Sequence, residues 1–141
     1  MRMLLLFASI LLLGSVAQAQ IQGGTELMSS TGLAVSSTTN GTERSLGRPR
    51  RAFIGRIVGT RTAGAGTLDV TLQHSPVCGT NASWKTLITF TQQNAAGPTT
   101  EDVHVNKLNT NVYPCVRAVA VVGAGAGTTW NVNVTLYHDE G

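Results

Sequence analysis

The sequence predicts an all-β protein: about seven antiparallel strands forming a two-sheet sandwich, jelly-roll or immunoglobulin-like, with one disulfide. Three observations predict it. Apolar residues recur with a period of two along short runs, which is the pattern of half-buried strands. Gly, Asn and Pro punctuate those runs where hairpins turn. Beyond the N-terminal segment, no apolar stripe at helical spacing persists for the three turns that a helix needs.

Residues 1–19 read as an export signal. Arg2 supplies a positive start, Leu4 to Leu13 is an apolar run interrupted only by Ala8 and Ser9, and Ala17-Gln18-Ala19 matches the small-x-small requirement of signal peptidase. Cleavage is expected after Ala19. The apolar run is about 10 residues long, whereas a membrane-spanning helix needs about 20. Nothing later in the chain is long and apolar enough to span, so the expected location is extracellular or periplasmic.

Residues 20–30 are polar and Gly-containing, and a loosely held segment is expected there. A single β-sandwich domain is expected over residues 31–141. Its first strand is marked by Leu33 and Val35 and its second by Ala52 to Val58. Thr67 to Ser75 is the cleanest: Leu68, Val70 and Leu72 share one face, and Asp69, Thr71 and Gln73 the other. Trp84, Thr86, Ile88 and Phe90 are expected on the buried face of the next strand. Asp102 to Lys107 follows, with Val103 and Val105 alternating with His104 and Asn106. Tyr113 to Val122 is apolar on both faces except for Arg117 and reads as a central strand. The last run points Trp130, Val132, Val134 and Leu136 inward, leaving Asn131, Asn133, Thr135 and Tyr137 outward. The segment Gln20 to Thr39 has two possible uses, folding back as the first strand or being donated to another copy.

The strand ending in Ser75, the polar turn after it and the returning Ser83-Trp84-Lys85-Thr86-Leu87, with the later Tyr113-Pro114-Cys115-Val116-Arg117-Ala118, form a recognisable arrangement. It resembles small jelly-roll and immunoglobulin-like sandwiches of phage virion proteins and discoidin-like surface-binding modules, over roughly Ala52 to Tyr137. The resemblance implies the sandwich fold. It implies no particular ligand.

Cys78 and Cys115 are the only two cysteines, and in an oxidising compartment an even pair reads as a disulfide. The competing reading, a two-thiol metal site, lacks a further Cys or a His at ligand spacing. No metal and no cofactor are expected.

The net charge is only +3, but its distribution is uneven. Arg44, Arg48, Arg50, Arg51, Arg56 and Arg61 crowd one stretch, a candidate site for glycans or other polyanions because guanidinium groups grip oxyanions with forked hydrogen bonds. The same stretch also reads as a protease-sensitive loop, or as a solvated lead-in to a strand. Few aromatics interleave with the cations, which argues against nucleic acid as a partner. The outward row Asn131, Asn133, Thr135 and Tyr137 is a candidate ligand or subunit face.

His74, His104 and His138 lie on different strands, outside any ligand pattern, and are expected to be exposed or partly packed. No Ser-His-acid or paired-carboxylate arrangement is apparent, so a non-enzymatic role is expected. Sequons at Asn40, Asn81 and Asn133 would accept glycans in a eukaryotic secretory route. The uncharged, Thr- and Asn-rich strands lack the edge lysines that keep many β proteins monomeric. The expected role is therefore an exported structural or interaction subunit of a filament, coat or adhesive layer, assembling through strand edges with itself or another surface component. The alternative is a monomeric module for glycans or acidic polymers.

Overall fold

A computed structural model describes residues 24–34, 37–48, 52–106 and 112–138. The proposed export signal and its cleavage point lie outside them. The described strands are β1 (Gly24–Ala34), β2 (Thr38–Asn40), β3 (Arg44–Ser45), β4 (Ala52–Ala63), β5 (Leu68–Ser75), β6 (Lys85–Thr89), β7 (Gly97–Asn106), β8 (Cys115–Val122) and β9 (Thr129–His138). They make two antiparallel sheets, one ordered β1-β9-β4-β7 and the other β2-β8-β5-β6, with β3 also paired to β8. With the two-residue β3 set aside and the other strands lettered B to I in chain order, the sheets read B-I-D-G and C-H-E-F. That is the order of a jelly roll, so the fold is the first of the two sandwich types expected.

The periodic runs become the centre of the core. On β5, Leu68, Val70 and Leu72 are buried and alternate with half-buried Asp69, Thr71 and Gln73. On β9, Trp130, Val132, Val134 and Leu136 are buried, facing Phe53 and Ile57 of β4 and Ala118, Ala120 and Val122 of β8 in one continuous cluster. Glycines on the core-facing side of β4 make room for large neighbours. A Cβ at Gly55 would stand 2.9 Å from both Ile88 Cδ1 and Leu72 Cδ1, and one at Gly59 would stand 3.2 Å from Leu68 Cδ2.

The two glycine-rich turns close one end of the sandwich together. The buried Thr128 Oγ1 accepts the Gly66 N–H at 2.7 Å, and the Gly123 N–H donates to Thr67 O at 2.9 Å. Gly64 adopts φ 71° with Thr128 backbone atoms so close that a side chain could not be inserted.

Four expectations need correction. Residues 24–30 were expected to be loosely held, yet they open β1, which folds back onto β9 of its own chain. The register of β1 slips between Glu26 and Met28, so Leu27 and Met28 are both buried and the period of two is broken. That slip hides the strand from a periodicity reading. Second, the described residues form nine strands where about seven are expected, because β2 and β3 are too short to show a pattern and are held by pairing with β8. Third, Trp84 and Thr86 do not share the core face with Ile88 and Phe90. Leu72 faces Ile88 while Gln73 faces Thr86, so Leu87 is the extra residue of a bulge. Leu87 and Ile88 are both buried, and everything before them on β6 is turned to the opposite face. Fourth, His74 is expected to be exposed or partly packed and is instead buried at the end of β5. Its Nδ1 accepts the Tyr113 N–H at 3.0 Å and its ring stacks on Tyr113 with centroids 4.9 Å apart.

Candidate functional site

The outer face of the β1-β9-β4-β7 sheet is built by the strand register. Thr135 lies beside Arg56, and Arg56 beside Asp102. Tyr137 lies beside Ile54, which in turn faces His104. Arg56 forms a forked ion pair with Asp102, with Nε to Oδ1 and Nη2 to Oδ2 both at 2.7 Å. The guanidinium also lies 5.6 Å from the centroid of the Tyr137 ring. The Asp102 carboxyl is held below its usual range, chiefly by the Arg56 hydrogen bonds, with slight desolvation opposing. The same hydrogen bonds and charge raise Arg56 further above its already high value.

The four residues expected as a ligand or subunit face do share this face, and each already has a partner. Asn131 Oδ1 accepts the Gly32 N–H at 3.0 Å. Asn133 Nδ2 donates to Glu26 Oε2 at 3.1 Å, and its Oδ1 accepts from Thr135 Oγ1 at 3.1 Å. Tyr137 faces Arg56. The row is thus knitted to β1 and β4.

The arginine stretch is not one patch. Arg44 is exposed on β3, at the edge of the other sheet, and Arg48 is exposed in the segment after it. Arg50 and Arg51 lie outside the described residues. Arg56 points outward from β4. Arg61, an odd number of residues further on, points to the opposite side, where it donates to Asn94 O at 2.7 Å and sits 6.0 Å from the Trp130 ring centroid. Closeness in sequence is therefore undone by the alternation of β4.

Cys78 and Cys115 are disulfide-bonded, with Cα atoms 5.4 Å apart. Glu43 stands beside the pair and accepts the Gly79 N–H at 2.8 Å. Its carboxylate and the two sulfurs lie within 4.8 Å of one another, but the sulfurs are spent on each other and offer no thiolate to a metal. Ser75 Oγ accepts the Val77 and Ser83 N–H groups at 3.3 and 3.0 Å and so closes the loop that carries Cys78. Of the sequons, Asn40 and Asn81 are exposed and Asn133 is half-buried.

A surface not foreseen lies on the outer face of the second sheet. The bulge in β6 brings half-buried Trp84 out beside Arg117, whose guanidinium carbon is 4.2 Å from the ring centroid. Arg117 Nε donates to Gln73 Oε1 at 2.9 Å. Val121 is exposed on the same β8 face. The sequence did hold one clue: Arg117 is the lone charge in an otherwise apolar strand, and a charge there needs a wet or aromatic neighbour.

The sheet edges differ in kind. β1 is an edge with two register irregularities, and β6 is short and bulged. β2 and β3 are three and two residues long. β7 is 10 residues long and pairs with β4 without a break from Ala52 opposite Asn106 to Arg61 opposite Gly97. It has no ladder partner on its other side among the described residues. Pro98 stands at its start, where a missing N–H is tolerated in an edge strand.

No helix among the described residues is long and apolar enough to cross a membrane. No protein-family model matches the chain, and no curated protein matches it. Among solved structures it is similar to one described as "Crystal structure of PirA", at 19% identity and a TM-score of 0.41, over 84% of this chain and 98% of that one.

Proposed function

We propose that this chain is an exported, non-enzymatic structural or interaction subunit that works outside the cytoplasm and assembles through a strand edge. The observation that carries the reading is the unbroken edge of β7. Monomeric β proteins blunt their edges with bulges, brevity, prolines or charged side chains, lysine above all. β1, β2, β3 and β6 have the first two, whereas β7 is long and regular over 10 residues without lysine, its Pro98 stands only at its start, and its Glu101 and Asp102 carboxylates are engaged within the chain by Thr91 and Arg56. The disulfide fits an oxidising compartment. The mass of the secreted, oxidised protein, measured by light scattering after size separation with negative-stain imaging of the same fractions, tests the reading. A defined oligomer or polymer is the expected result, and a monomer across the concentration range refutes it.

A second reading, a binding module for glycans, is favoured by the Trp84–Arg117–Gln73 surface, where a half-exposed indole, a guanidinium and an amide adjoin. Sugars are recognised by such combinations of ring stacking and hydrogen bonding. Retention on a glycan array that is abolished by Trp84→Ala, with the mass in solution unchanged, would favour it.

A further inference from the structure

We infer that β7 pairs with β7 of a second copy, antiparallel about a twofold axis at Val103, joining two four-stranded sheets into one continuous sheet. The inference rests on the edge-assembly reading and specifies its partner and register.

An antiparallel pairing of a strand with its own copy must be self-complementary, because residue i meets j and j meets i. Side chains alternate faces, so only registers that centre a residue on its own copy keep both outer faces together. On β7 the outward positions include Asp102 and His104, both exposed, and the core-facing ones include Val103 and Val105. Four central registers are available, and centring on Glu101 sets two like-charged residues directly opposite each other. Centring on Asp102 places two carboxylates directly opposite each other, which is repulsive. Centring on His104 sets two imidazoles against each other and shortens the ladder to Asp102 through Asn106. Centring on Val103 keeps a ladder from Thr100 to Asn106 and sets Asp102 opposite His104 twice, once on each side of the axis.

That register completes a pattern already present within one copy. Arg56 holds both oxygens of Asp102 from the β4 side. The imidazole of the second copy's His104 would approach the same carboxylate from the open side, so that cation, carboxylate and imidazole alternate across the seam. Val103 would lie against its own counterpart on the core-facing side. Glu101 is no obstacle, because its carboxylate is turned toward the other sheet, where it accepts the Thr91 N–H at 2.9 Å and the Thr91 hydroxyl at 3.1 Å.

The test uses the full oxidised protein and three variants. His104→Asp places a carboxylate opposite Asp102 at both positions, and dimerisation should weaken by about tenfold or more. His104 is exposed, so the melting temperature at a concentration where both proteins are monomeric should barely move, and that measurement guards against misfolding. In the second arm, Asp102→Cys and His104→Cys proteins are mixed under mild oxidation. Directly opposed Cβ atoms come within about 5.5 Å, whereas diagonal ones stand about 7–8 Å apart. The mixture should therefore cross-link faster than either variant alone. If the wild type associates but His104→Asp leaves its dissociation constant unchanged, or the mixture cross-links no faster than the single variants, the β7 register is wrong while assembly stands. If the wild type is a monomer throughout, both the register and the assembly reading fall.

Discussion

Removing the disulfide should weaken the fold mainly through the unfolded chain. The bond joins residues 37 apart, and the loop-entropy relation assigns a loop of that length about 4 kcal/mol. The native state has other means of holding the same corner. Ser75 Oγ still clamps Val77 and Ser83, Glu43 still accepts the Gly79 N–H, and Ser45 and Ser75 still flank position 115 in the ladders of β3 and β5. The paired substitution Cys78→Ala with Cys115→Ala should therefore keep the fold while lowering its melting temperature by about 15 °C, at about 4 °C per kcal/mol for a domain of this size. Urea unfolding followed by tryptophan fluorescence, on oxidised, reduced and double-alanine protein, gives the comparison. The urea slope should rise when the cross-link is lost, since a freer unfolded chain exposes more surface. A loss below about 1 kcal/mol with an unchanged slope would refute the reasoning and point to an unfolded chain that is already compact.

Further predictions follow from the core and the outer faces. Gly55→Val puts a branched side chain where Ile88, Leu72 and Phe90 already crowd, and should cost about 1–3 kcal/mol in chemical denaturation. The two tryptophans should separate by acrylamide quenching: Trp130→Phe leaves the readily quenched emission of half-buried Trp84, while Trp84→Phe leaves the shielded emission of fully buried Trp130. The Trp130 indole N–H is buried with no acceptor among the described residues, so Trp130→Phe should destabilise far less than Trp130→Ala, for which about 3–5 kcal/mol is expected. Asp102 has a folded value below its unfolded one, so its contribution is present above the ordinary carboxylate range and disappears as pH falls through the depressed folded value. The small gap in melting temperature between wild type and Asp102→Asn should begin to close below about pH 4, because the pair is exposed and weak at any pH.

The strongly periodic elements were legible because alternation alone determines which face of a strand is buried. β5 and β9 show this best, with Leu68, Val70 and Leu72 and with Trp130 through Leu136 buried as their spacing requires. Bulges are where that reasoning fails, since one extra residue inverts every side chain beyond it. The parity of Trp84 matches that of Ile88 and predicts a core position, and Leu87 cancels that parity. Met28 and Leu27 are hidden for the same reason. Pairings between distant strands could not be read either. Asp102 becomes the partner of Arg56 only because β7 lies beside β4, which no local pattern encodes. His74 accepts from Tyr113 only because β5 lies beside β8.

The place of β9 between β1 and β4 has a consequence for how the chain acquires its shape. β9 is the last described strand in the sequence and supplies the middle of its sheet, pairing with β1 over separations as long as Gly24 to Tyr137. During synthesis β1 and β4 therefore face a gap that cannot be filled until residues 129–138 have emerged. A chain that cannot fold early stays threadable, which would suit the export proposed above. The delay also implies slow folding, in the millisecond-to-second range typical of all-β topologies dominated by distant contacts. Until β9 arrives, the exposed flanks of β1 and β4 are the surfaces that would need guarding against pairing with a neighbouring nascent chain.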